Sequence, residues 1–246
     1  MKYLPGILSI VLFSLCIPDN VLGQDLNYRE VFGEYWTKAG EYERENRYWM
    51  EEMADENQVP YETVIAIIFP ELVRYSALRD RMETTLLKAL YINLGEEYAN
   101  FSIGRFQVKP SFAEKIRDDA NELLDRKSEI SFMQKEDFND ISNYRKSIVT
   151  DLEDPRTEFR YVIAFIRICE KKYKTERMTE PEKVKFLSTA YNYGIEGDAE
   201  EIMRMSESRY FTTSLLKSER YCYADVSLFW FRNNRIRPLA SNFLRR

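Results

Sequence analysis

Glu71 is the residue best placed by its surroundings to do chemistry. It follows the apolar run Val64-Ile65-Ala66-Ile67-Ile68-Phe69-Pro70. A carboxyl group delivered by so apolar a stretch needs a partner, or it holds its proton above the usual carboxylate range. A carboxyl still protonated near neutral pH is a general acid. Groups able to hold a polar substrate lie further along, at Gly104-Arg105-Phe106-Gln107 and at Tyr191-Asn192. The plainer alternative for Glu71 is structural: a solvated helix end, or an ion pair with Arg74 or Arg79. Plain readings exist for the others too, with Gly104 supplying a turn, Gln107 capping backbone, and Arg105 and Lys109 as surface charges.

Composition narrows the chemistry. The 246 residues contain no histidine, which excludes imidazole acid–base relays, histidine-based triads and most catalytic zinc sites. Three cysteines are too few for a thiolate metal cluster, and Cys169 and Cys222 read equally well as a pair or as two buried thiols. Acid–base work would fall to carboxylates and tyrosines, with no cofactor. The net charge of −5 argues against nucleic acid as a partner and for an uncharged polymer or a cation.

The elements that must position these groups read as helices. Glycine is scarce, with 8 in the chain, while Glu, Lys, Arg and Leu are abundant, so the expected fold class is all-α. Residues 1–23 have a basic start at Lys2, an apolar stretch from Leu4 to Ile17 and Val21-Leu22-Gly23 before Gln24. That pattern is expected of a signal peptide cleaved after Gly23, giving an exported chain. Lipid attachment at Cys16 is the lesser alternative, because Phe13-Ser14-Leu15 lacks the small residue expected before a lipidated cysteine. No later segment is apolar for long enough to span a bilayer.

Residues 24–56 carry Val31, Phe32, Tyr35, Trp36, Ala39 and Tyr42 at helical spacing and form a lead-in. Pro60 opens the helix of the apolar run, and Pro70 is expected to bend or stop it, which would leave Glu71 at a helix end facing a cleft. Further helices are expected over 78–94 and from Ser111, Asp154-Pro155 and Pro181, the last stopping at Gly194. Residues 57–246 are read as one main domain, with a charge-rich but periodically apolar insertion at about 113–154.

Three motifs now stand in order: Ile65 to Glu71, then Ser102-Ile103-Gly104-Arg105-Phe106-Gln107-Val108-Lys109-Pro110, then Ala190-Tyr191-Asn192-Tyr193-Gly194. Together they resemble the soluble lytic transglycosylases, a lysozyme-like family that cleaves peptidoglycan. That family has an apolar helix ending in Glu-Ser, then Gly-Leu-Met-Gln with a proline beyond it, then Ala-Tyr-Asn. Asp154-Pro155 looks like the Asp-Pro helix that the family often carries between the last two. Ser218-Glu219-Arg220-Tyr221 is similar, at shortened spacing, to a late Glu-Thr-x-x-Tyr segment. The chain departs from the pattern at Leu72, Arg105, Phe106 and Tyr193, and its gap from Glu71 to Gly104 is longer.

The resemblance implies a lysozyme-like helical domain in the periplasm or cell envelope, with peptidoglycan glycan strands as partner. It implies Glu71 as catalytic acid and base, Gly104 and Gln107 in the cleft wall, Tyr191 and Tyr221 holding the acid, and Asn192 on the sugar. One carboxyl suffices for such a reaction. It protonates the glycosidic oxygen, then takes a proton from the 6-hydroxyl of the muramic sugar, which closes to a 1,6-anhydro end. Two other readings stay open. A second carboxylate from Glu96, Glu97 or Asp80 across the cleft would make a hydrolase, and loss of activity would leave a glycan-binding envelope protein.

Overall fold

A computed structural model describes residues 26–78, 84–124, 130–213 and 219–234. The fold is all-α: ten α-helices and a two-stranded ribbon occur among the described residues. The lead-in forms α1 (Tyr28–Phe32) and α2 (Glu34–Glu56), separated at Gly33. The apolar run forms α3 (Tyr61–Leu78), whose residues Val64 to Phe69 are almost fully shielded from solvent. α2, α7 (Pro155–Tyr173), α8 (Glu180–Tyr193) and α10 (Tyr223–Asn234) all pack on α3, which is why its stretch from Val64 to Phe69 is apolar all round.

α3 does not stop at Pro70. It continues to Leu78 with Pro70 inside it, which corrects the expected helix end and puts Glu71 in mid-helix. Burial explains the outcome. A proline in a helix interior costs about 3 kcal/mol. Leaving the helix at Pro70 would withdraw Leu72 and Val73 from the core, at about 1.5–3 kcal/mol each. Tertiary packing therefore outweighs the local break.

α4 (Thr85–Leu94) stops at Gly95, and α5 (Pro110–Leu123) starts with its proline in the first turn, where the missing N–H costs nothing. Most of the expected insertion is helical: α5, then α6 (Ile141–Glu153). Buried Arg117 ties it down by bonding the Tyr161 hydroxyl, Asp151, Ser147 and the Met133 carbonyl. α7 follows at once, its N-terminus capped by the Asp154 carboxylate on the Thr157 N–H. α8 starts with a capping box between Thr179 and Glu182 and stops at Gly194.

After α9 (Ala199–Met205) come strands β1 (Arg209–Phe211) and β2 (Tyr221–Cys222), antiparallel with Arg209 opposite Cys222 and Phe211 opposite Tyr221. The helical reading had not anticipated this ribbon. Cys169 and Cys222 are both buried free thiols. Among the described residues, no helix is long and apolar enough to cross a membrane.

Candidate functional site

A cleft of about 1240 Å³ opens along one side of α3. Glu71 and Arg74 of α3 face it. Its walls come from the segment carrying Glu96, Asn100, Ser102, Gln107 and Lys109, from α5, from Tyr191 to Gly197, from Glu201 and from Tyr210 of β1. Four of the six expected site residues, Glu71, Gln107, Tyr191 and Asn192, thus converge from three distant stretches of chain.

Glu71 is only 3% exposed. Burial pushes its pKa above the ordinary value, and the charge and hydrogen bond of Arg74, then Lys109 and Tyr223, act in the opposite direction without cancelling it. Arg74, one turn along α3, donates from Nη1 to both carboxylate oxygens at 2.8 and 2.9 Å. The structural alternative for Glu71 is therefore present as geometry: it does carry an ion pair, although one that borders the cleft. The Arg74 guanidinium also lies over the Phe211 ring, 4.6 Å from its centroid, and its Nε donates to the Thr212 carbonyl at 3.4 Å. The β-ribbon is what holds this arginine.

Gly104 and Gln107 form a tight loop closed by the Ile103–Val108 bridge. Both have positive φ, +76° at Gly104 and +57° at Gln107. The loop keeps that shape because of Glu158, a fully buried carboxylate on α7. It accepts from the backbone N–H groups of Arg105, at 2.8 Å, and Phe106, at 3.0 Å, with Val108 at 3.5 Å. Burial raises the Glu158 pKa well above its usual range, against the opposing pull of those three N–H groups and of Arg105.

Gly104 faces Glu158 and is not among the residues lining the cleft, so its contribution is to the loop and not directly to the wall. The Gln107 side chain bonds the Gly104 carbonyl at 2.8 Å and still lines the cleft, so it caps backbone and faces the cleft at once. Arg105 is neither free surface charge nor cleft residue. It lies over the rings of Tyr42 and Tyr75 at 4.7 and 4.5 Å, and Phe106 fills the core beneath.

Tyr191 donates its hydroxyl to the Phe106 carbonyl at 2.9 Å, joining α8 to the same loop. Its own pKa is driven well upward by burial, with Glu158 and Glu71 adding to the effect. Asn192, next to it, is exposed on the cleft wall.

Tyr221 is a correction. Its hydroxyl donates to Glu219 and its ring packs on Tyr28 and Phe32, away from the acid. The tyrosine beside Glu71 is Tyr223, two residues on, whose hydroxyl donates to the Ile67 carbonyl at 2.9 Å and influences the Glu71 carboxyl. A strand residue and the first residue of the next helix face different ways, and without the ribbon the two could not be told apart.

Of the three carboxylates considered for a hydrolase, Glu96 lines the cleft, Glu97 does not, and Asp80 lies outside the described residues. Glu158 went unnoticed in the sequence. The signal was there: Glu158, Val162, Phe165 and Cys169 share one helical face, and that face is core. No group of three or more metal-ligating side chains occurs among the described residues. No family model, curated protein or solved structure matches the chain.

Proposed function

We propose that the protein is a peptidoglycan lytic transglycosylase of the cell envelope, cleaving the β-1,4 bond between N-acetylmuramic acid and N-acetylglucosamine. The observation that carries the reading is Glu71. It is a nearly buried carboxyl bordering an open cleft, with its pKa raised, and Gln107, Tyr191 and Asn192 line the same cleft. The order of the three motifs along the chain supports it.

Glycosidic cleavage needs a proton on a poor leaving oxygen while positive charge grows at the anomeric carbon. Protonated Glu71 supplies that proton. The resulting carboxylate then removes the proton of the 6-hydroxyl, whose oxygen bonds to the anomeric carbon and leaves a 1,6-anhydro ring. Tyr191 and the Glu158-held loop shape the cleft wall near the acid. Asn192 and the Gln107 side chain offer hydrogen bonds to the acetamido and hydroxyl groups of the sugars. The chain is proposed to reach its substrate by export through residues 1–23.

Glu96 favours a second reading, a muramidase in which that carboxylate activates water from across the cleft. Release of soluble fragments from purified peptidoglycan tests whether Glu71 cleaves at all. Wild type should release them and Glu71→Gln should not. Equal release by both would remove Glu71 from the reaction.

A further inference from the structure

The Arg74 guanidinium, bonded to both Glu71 oxygens, favours the charged carboxylate and opposes the protonation that burial promotes, so drawing that partner elsewhere makes Glu71 the readier proton donor. Arg74 is placed to be drawn. It borders the cleft, and its position over Phe211 and against the Thr212 carbonyl keeps its head group at the cleft edge. A second cation, Lys109, is exposed on the same cleft and has no carboxylate partner among the described residues.

The groups acting on Glu71 are Arg74 on its own helix, Lys109 from the loop before α5 and Tyr223 of α10, with Tyr191 of α8 also close enough to feel its charge. None of these is a carboxylate. Most acids elsewhere in the cleft are engaged otherwise: Glu114 takes the Tyr91 hydroxyl, Glu201 takes the Tyr193 hydroxyl, and Glu196 and Asp118 act on Lys115, while Glu96 stands exposed on the wall. The Glu71 end of the cleft is locally cationic in an acidic protein.

We propose that Arg74 and Lys109 form a receptor for a carboxylate carried by the glycan beside the scissile bond, and that Arg74 exchanges Glu71 for this carboxylate on binding. The proposal rests on the glycan-cleaving reading. Proton balance is simple: the substrate anion takes over the Arg74 hydrogen bonds, and Glu71, buried and relieved of its countercharge, takes one proton from solvent. Acid catalysis would then be switched on by the substrate that needs it. The carboxylate is either the lactyl group of a muramic sugar free of peptide or a carboxylate of an attached stem peptide.

The test is titration calorimetry with the disaccharide N-acetylglucosaminyl-β-1,4-N-acetylmuramic acid, which lacks the bond to be cleaved. Three forms are compared: the free acid, its methyl ester and the form bearing a stem peptide. Each is titrated into wild type, Arg74→Gln, Arg74→Lys and Lys109→Gln, in two buffers of different ionisation enthalpy. The free acid should bind on the order of tenfold more tightly than the ester, with proton uptake. Arg74→Gln should lose both, Lys109→Gln should lose part of the preference, and Arg74→Lys should keep some of it. A preference shown only by the stem-peptide form assigns the carboxylate to the peptide. Equal binding of all three forms, no binding, or a preference untouched by Arg74→Gln and Lys109→Gln overturns the proposal. Because cleavage is not read, a carboxylate preference alongside uncleaved long strands would retire the enzymatic reading and leave the anion receptor standing.

Discussion

Gly104 and Glu158 are in direct opposition: a Cβ at Gly104 would overlap the Glu158 carboxylate and the Leu152 carbonyl oxygen. One residue closes the loop by having no side chain, and the other holds it through three backbone N–H groups. Gly104→Ala therefore meets a steric conflict as well as a φ of +76° that alanine adopts poorly. The expected loss is about 2–4 kcal/mol of folding stability, measured by urea unfolding. An unchanged midpoint would mean that the loop is not under this constraint.

Glu158 also gives the fold a pH dependence of definite sign. Its folded pKa is raised well above the ordinary glutamate value of 4.5. The folded state then holds a proton that the unfolded chain releases, so this contribution to stability is full below that value and is lost as pH rises through the folded pKa. Glu71 adds a contribution of the same sign. Unfolding followed across acidic to alkaline pH should show this fall in wild type and a flatter profile in Glu158→Gln. A wild-type profile that rises over that window would contradict the assignment.

Tyr191 and Tyr221 should behave differently when each loses its hydroxyl. Tyr191→Phe breaks the bond to the Phe106 carbonyl and costs about 1 kcal/mol of stability together with activity on glycan strands. Tyr221→Phe removes only an exposed bond to Glu219 and should leave activity unchanged. Tyr223→Phe, by contrast, removes a hydroxyl that lowers the Glu71 pKa and should move the alkaline limb of the pH–rate profile to higher pH. Steady-state assays on one glycan preparation distinguish the three.

The helices were readable because each carries its own punctuation. Pro60, Pro110, Asp154-Pro155 and Pro181 lie at or next to helix starts, and Gly95 and Gly194 follow helix ends. Pro70 does not end its helix because the residues on either side of it are packed in the core, where leaving costs more than a missing hydrogen bond. The polar groups of the cleft were legible as short motifs. The Glu71–Arg74 pair, three residues apart, was legible too, but the more distant supports were not: Glu158, Tyr223 and the Thr212 carbonyl that holds Arg74 act across 52, 152 and 138 residues of chain, and a sequence does not display such distances. The ribbon was missed for a related reason: β1 and β2 total five residues and are fixed by pairing with each other, not by a periodic pattern.

The central claim, that Glu71 alone is both acid and base, is tested most directly by mass spectrometry of the ends made in purified peptidoglycan. Wild type should leave 1,6-anhydro-muramic ends. A normally folded Glu71→Gln should lose those ends by on the order of 10²–10⁴-fold. Reducing ends in place of anhydro ends, or anhydro ends formed as readily by Glu71→Gln, would contradict it.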